Sequence, residues 1–251
     1  MYTRPIQIPH DNRFSDAMLY LPKPEDQLSD APLVIISHGY GGNRFAFESL
    51  ATFLVEQGFA ALNHSFCGGS KDEPSPLPST QMTLLTEQED LIAVMEYALS
   101  LPWVSHEKLF LFGESQGGMI SALVADKTRL PIAGLLLQYP ALCIADNWNE
   151  RYPDESMIPE EEDFWGLMLG RAFPMAIRDL DVTKATGKYA GPVLIMHGTD
   201  DPVVPIRYST EAAKRYPNAT LQIYEGGGHG FNAQEDVRRN AEVLDFLRSH
   251  T

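Results

Sequence analysis

Cationic side chains are scarce in this chain: 19 lysines and arginines stand against 34 aspartates and glutamates, a formal charge of −15 at pH 7. A surface that negative repels phosphate backbones and anionic lipid heads, so neither nucleic acid nor a membrane is an expected partner. Cysteine is scarcer still. Cys67 and Cys143 lie far apart and in no CxxC or Cys/His ligand spacing, so two buried free thiols in a reducing cytoplasm are expected rather than a disulfide or a metal site. The opening "MYTRPIQIPHDNRF" has no basic segment followed by an apolar one, which argues against a signal peptide. No apolar run approaches the roughly 20 residues that a membrane span requires. No internal repeat is present. A cytoplasmic location follows as the expectation, and a homodimer stays open.

What is present suits one large core, since 251 residues with 44% hydrophobic composition can bury one without subdividing. Continuously apolar runs at 31–39, 58–65, 108–113, 131–140 and 191–198 read as strands buried on both faces, as in a parallel sheet covered by helices. Between them, amphipathic patterns at 43–57, 82–101 and 117–126 read as helices, with a last one at 233–250. "YTRPIQI" and "DAMLYLP" suggest an antiparallel lead-in, and "ATLQIYE" a late strand. Alternation of this kind predicts a three-layer α/β fold with a mostly parallel central sheet flanked by helices. Residues 141–187 break the rhythm. They hold two of the three tryptophans and no obvious strand, and "EEEDFWGLMLGRAFPMAI" (160–177) suggests short helices. A connection that long in a compact domain is often a lid or a binding segment.

The chemistry centres on "KLFLFGESQGGMISAL" (108–123), where a buried strand turns into a helix through Gly113-Glu114-Ser115-Gln116-Gly117. G-x-S-x-G in that context is a nucleophile elbow: glycines relieve the crowding of a cramped turn, and the serine hydroxyl stands exposed at the sheet's carboxyl edge. A serine needs a base oriented by an acid. Of seven histidines, His38 and His197 end buried strands, where a structural imidazole is commoner, and His10, His64, His106 and His250 have no convergent context. His229 sits in the glycine-rich "EGGGHGFN", free to bring its ring across to Ser115. For the acid, "LIMHGTDDPVVP" offers Asp200 and Asp201 after a buried strand, and only one of them can face His229.

Four motifs in this order, HGYGGN (38–43), GESQGG (113–118), HGTDDPVVP (197–205) and GGGHGF (226–231), resemble the α/β-hydrolases over almost the whole chain. The resemblance implies Asp201 as the acid and Asp200 as a turn residue, with an oxyanion hole from the main-chain N–H groups of Tyr40 and Gln116. More narrowly, residues 42–70, 82–104 and GESQGG resemble the bacterial cinnamoyl (feruloyl) esterases. There the resemblance implies a core of residues 1–142 and 187–251 and a cap insertion at 143–186. Glu114 and "HSFCGGS" depart from the relatives' usual G-H-S-Q-G and R-G-H-G-x-S.

These readings together predict a serine carboxylesterase without cofactor, cleaving small-molecule esters of hydroxycinnamic-type acids through an acyl-enzyme. Trp148 and Trp165 in the cap are expected to contact substrate. Two rivals remain: a small exopeptidase or acylaminoacyl hydrolase of the prolyl-oligopeptidase type, and a non-catalytic hydrolase-fold binding protein. Such peptidases usually carry a large amino-terminal propeller, which this chain is too short to hold. A binding protein has no need of an intact Ser/Asp/His set.

Overall fold

A computed structural model describes residues 1–251. Eight strands form one twisted sheet: β1 (Tyr2–His10), β2 (Arg13–Leu21), β3 (Ala31–Ser37), β4 (Ala60–His64), β5 (Val104–Glu114), β6 (Gly134–Gln138), β9 (Val193–Gly198) and β10 (Ala219–Tyr224). Their spatial order is β1-β2-β4-β3-β5-β6-β9-β10. The lead-in hairpin β1–β2 is antiparallel, and β2 also meets β4 antiparallel. From β4 to β10 every pairing is parallel. Six strands therefore end at one edge, which is where such sheets place their ligands. At the opposite end of the order, β1 is an outer strand carrying two exposed prolines, Pro5 and Pro9.

Alternation along the strands divides the core. In β3, Leu33 and Ile35 join a cluster of 41 buried residues, while Val34 and Ile36 join one of 18 on the other face. The larger cluster is covered by α2 (Leu84–Ser100), α3 (Ser115–Lys127) and α7 (Arg207–Arg215), the smaller by α1 (Glu48–Glu56) and α8 (Ala233–Ser249). Two helices open with capping boxes. Thr83 and Thr86 cap α2, and Asn232 and Glu235 cap α8, each pair satisfying otherwise orphaned amides. The mostly parallel sheet flanked by helices is the architecture that the alternation predicted.

Two local expectations need correction. The helix expected from residue 43 begins only at Glu48, because 43–47 form a turn with Asn43 Oδ1 accepting the Phe45 N–H. Residues 160–177 are not a run of short helices. They open as a hairpin, β7 (Glu161–Phe164) and β8 (Leu167–Gly170), before α5 (Ala172–Arg178). Trp165 and Gly166 both take positive φ, the two-residue turn whose twist matches a hairpin. Around it lie α4 (Ile144–Arg151) and α6 (Val182–Ala185), so the whole stretch between β6 and β9 is built from short elements.

Candidate active site

The sheet's carboxyl edge brings together Ser115 after β5, Asp201 after β9 and His229 after β10. Ser115 Oγ lies 2.9 Å from His229 Nε2, and His229 Nδ1 lies 2.7 Å from Asp201 Oδ2. The turn at Ser115 is tight: its φ is +49°, a region non-glycine residues seldom occupy. A Cβ on Gly117 would meet the His38 carbonyl oxygen at 2.3 Å, and one on Gly113 the Gly117 carbonyl at 2.4 Å. Both glycines are therefore demanded by contact.

Asp201 is held from several sides. Its Oδ1 accepts from the Val203 and Val204 N–H groups, each at 2.8 Å, and its Oδ2 lies 3.3 Å from His197 Nε2 as well as facing His229. Burial pushes the carboxyl up, but the bonds from His197, His229 and Val204 outweigh it and leave the group below the usual carboxylate range. Asp200 is exposed and turned away, its Oδ1 accepting from the Thr199 hydroxyl. A carboxylate fixed in that way orients an imidazole and stabilises its cation, and an imidazole so oriented can accept a hydroxyl proton.

Tyr40 and Gln116 line the same narrow cleft as Ser115. The peptide unit carrying the Tyr40 N–H is clamped at its carbonyl, since Gly39 O lies 2.7 Å from His38 Nδ1 and accepts from Gly42 N–H at 3.1 Å. The ring's other nitrogen accepts the Phe66 N–H, so His38 is the buried structural imidazole expected from its place. Burial pushes it down to about 4, which keeps it neutral. In the peptide unit carrying the Gln116 N–H, Ser115 O accepts from Ala141 N–H at 2.8 Å. Gln116 is the second residue of α3, whose first-turn amides lack intrahelical acceptors and are free to face a developing negative charge.

Beside the serine lies a mostly apolar cleft of about 70 Å³, whose lining includes Tyr40, Ile144, Trp148, Phe164, Trp165 and Phe173. Trp148, Phe164 and Trp165 also line a wider cavity of about 500 Å³ that contains Arg151 and Arg207. Trp148 is buried and packs against Phe164 at 4.8 Å and Phe173 at 5.5 Å. Trp165, the other ring expected to contact substrate, borders both spaces from their rim. It is 60% exposed, stacked on Phe164 at 4.8 Å, because the hairpin turn carries it to the rim. The Tyr40 hydroxyl donates to Phe164 O at 2.7 Å and ties this hairpin to the loop after β3.

Sequence reasoning passed over three neighbours. Tyr139, at φ +32°, packs its ring 4.6 Å from His229. Cys143 forms part of the cleft wall as a free thiol pushed up to about 11 by burial. Glu87 is buried on α2 against Gln116, and its spacing from Leu84 and Leu91, on the apolar side of the helix, was the available signal.

Elsewhere, His10, Cys67 and Asp90 approach one another closely enough to suggest a metal site. The donor set does not suit a cation: Asp90 is already engaged by His10, the Arg13 guanidinium and the Cys67 N–H.

Residues 80–251 match the model of the prolyl oligopeptidase family. A putative carbamate hydrolase of Pseudomonas savastanoi is 27% identical over 90% of this chain and 97% of its own length. A non-heme chloroperoxidase of Streptomyces lividans is 37% identical over 86% of this chain and 91% of its own. Among solved structures, the ferulic acid complex of Est1E from Butyrivibrio proteoclasticus superposes with a TM-score of 0.87, 28% identity and 98% coverage of both chains.

Proposed function

From the premise that this chain belongs to the prolyl oligopeptidase family within the α/β-hydrolases, we propose a serine carboxylesterase acting on esters of aromatic, hydroxycinnamic-type acids. In this reading Ser115 attacks the ester carbonyl as His229 takes its proton, and Asp201 stabilises the imidazolium. The N–H groups of Tyr40 and Gln116 receive the oxyanion. His229 then protonates the leaving alcohol and activates the water that releases the acid.

The carrying observation is the aromatic cleft that opens directly on Ser115. A planar acyl group there would lie among Trp148, Phe164 and Tyr40, where stacking contributes roughly 0.5–1.5 kcal/mol per pair beyond area burial. The 70 Å³ cleft is too small for a hydroxycinnamoyl group by itself, so the acyl chain extends under Trp165 into the wider cavity that shares these walls. The ferulate-bound relative supports the same acyl class. We further read residues 143–186 as a cap over the site.

A substrate panel tests the proposal. Methyl ferulate and methyl caffeate should give kcat/KM at least tenfold above methyl acetate, and a fluorophosphonate probe should label Ser115. Equal turnover of both ester classes would remove the aromatic specificity. The family's name favours one second reading, an acylaminoacyl or exopeptidase activity, which peptidyl 4-nitroanilides in the same panel would reveal.

A further inference from the structure

Two carboxylates without a cationic partner in hydrogen-bond contact each touch a residue beside or within the proposed oxyanion hole. Glu114 Oε2 accepts the Gly39 N–H at 2.8 Å, one residue before Tyr40. It sits so close under the loop that a Cβ on Gly39 would come within 2.4 Å of it. On the other side, Gln116 Nε2 donates to both oxygens of Glu87 at 2.8 Å, and both side chains are buried. What the two groups share is placement: Glu114, half-buried and also bonded to the Tyr139 hydroxyl, holds the residue before Tyr40, and Glu87 holds Gln116.

We propose that Glu114 and Glu87 are a matched pair of positioning residues, one for each main-chain donor of the oxyanion hole. The inference rests on the serine hydrolase reading above. Glu114 fixes the peptide that leads into Tyr40, completing the hold that His38 takes on the next carbonyl. Glu87 fixes the Gln116 side chain and with it the first turn of α3. Burial pushes the Glu114 carboxyl up, while His229 and the Gly39 amide favour its ionised form. Glu87 is pushed up to about 8 by burial, against the bond from Gln116.

The test separates positioning from packing. Glu114→Ala and Glu87→Ala remove the acceptors, whereas Glu114→Gln and Glu87→Gln keep one acceptor oxygen in the same shape. Four readouts are compared: kcat and KM for 4-nitrophenyl acetate, Ki for a trifluoromethyl ketone that adds to the serine as an oxyanion, and Tm. Loss of a whole oxyanion donor costs about 10²–10³ in kcat, so a misplaced one should cost about 10–100-fold. Glu114→Ala should fall in that range and Glu87→Ala near its lower end, with KM within about twofold. Ki should weaken by the same factor as kcat, and both glutamine variants should recover to within about threefold of wild type.

The proposal is overturned if Ki is unmoved while kcat falls, or if the glutamine variants do no better than alanine. It is overturned equally by alanine variants that keep wild-type kcat, or by losses that follow Tm alone. Fluorophosphonate labelling of the wild type tests the serine reading independently, so failure of these carboxylates to act as positioning groups would leave that reading in place.

Discussion

The carboxyl edge of the sheet and residues 143–186, some of which line the cleft beside Ser115, are built by different means. At the edge, polar groups are fixed by buried partners: Asp201 faces two histidine rings and accepts two main-chain amides, and Gly117 leaves no room for a side chain. Residues 143–186 are pinned inside by Trp148, Leu169 and Phe173, but their outer side relies on pairs such as Arg151–Glu162 and Arg171–Glu155. With Arg151 and Glu155 about half exposed, such pairs contribute only about 0–1 kcal/mol each.

The largest effect expected lies at the edge. Ser115→Ala should lower kcat by more than about a thousandfold while Tm stays close to wild type, since no core atom is lost. A variant that retains more than about a thousandth of wild-type turnover would leave the edge with no privileged nucleophile. Next is the paired test of carboxylates. Asp201→Asn should cost about 10⁴ in kcat by leaving the His229 ring in the wrong tautomer. Asp200→Asn, altering an exposed side chain, should change kcat by less than about threefold. A reversal of that order would shift the site by one residue.

Substitutions in residues 143–186 should be milder and selective. Trp165→Ala removes an exposed ring, so kcat/KM for methyl ferulate should drop by about 3–10-fold with acetate turnover and Tm preserved. Trp148→Ala should show the same preference together with a lowered Tm, because loss of a buried tryptophan typically costs 3–5 kcal/mol. Equal losses on both esters would make the two regions a single packing unit. The smallest effect is expected from Tyr40→Phe, which keeps the main-chain N–H and deletes only the bond to Phe164 O. KM for the ferulate ester should rise about two- to fivefold at unchanged kcat. A kcat loss as large as that of Ser115→Ala would mean that the hydroxyl takes part in the reaction.

The same contrast explains what could be read from the sequence. Ser115 and His229 stand in motifs whose glycines and flanking strands have a local cause, whereas the choice of Asp201 over Asp200 came only from the resemblance to the α/β-hydrolases. The hairpin at 161–170 was not legible. Four acidic or aromatic residues, a Trp-Gly turn and four mostly apolar residues carry little period-2 signal, and the strand pairing is satisfied only within the insertion. Glu87 was hidden for another reason: its charge argues for solvent, while its helical position argues for the core, and tertiary contact with Gln116 decides between them. Which aromatic ring faces inward was likewise settled by local structure: the hairpin turn carries Trp165 outward, while helix α4 packs Trp148 inward.

The two outer strands of the sheet bear on how the molecule behaves in a crowd of its own copies. An open strand offers unpaired N–H and C=O groups to any neighbouring chain, and edge-to-edge pairing is the usual route to aggregates. In β1, Pro5 and Pro9 have no N–H to offer, which interrupts that template along its length. At the far side, Arg238 donates to the Ile223 carbonyl of β10 and lays its guanidinium over Tyr224 at 4.0 Å, occupying an acceptor there and placing a charge beside it. Each rim is blunted by a different device, so replacing Pro5 and Pro9 together with valine would restore a continuous ladder of donors and turn an orderly protein into a sticky one.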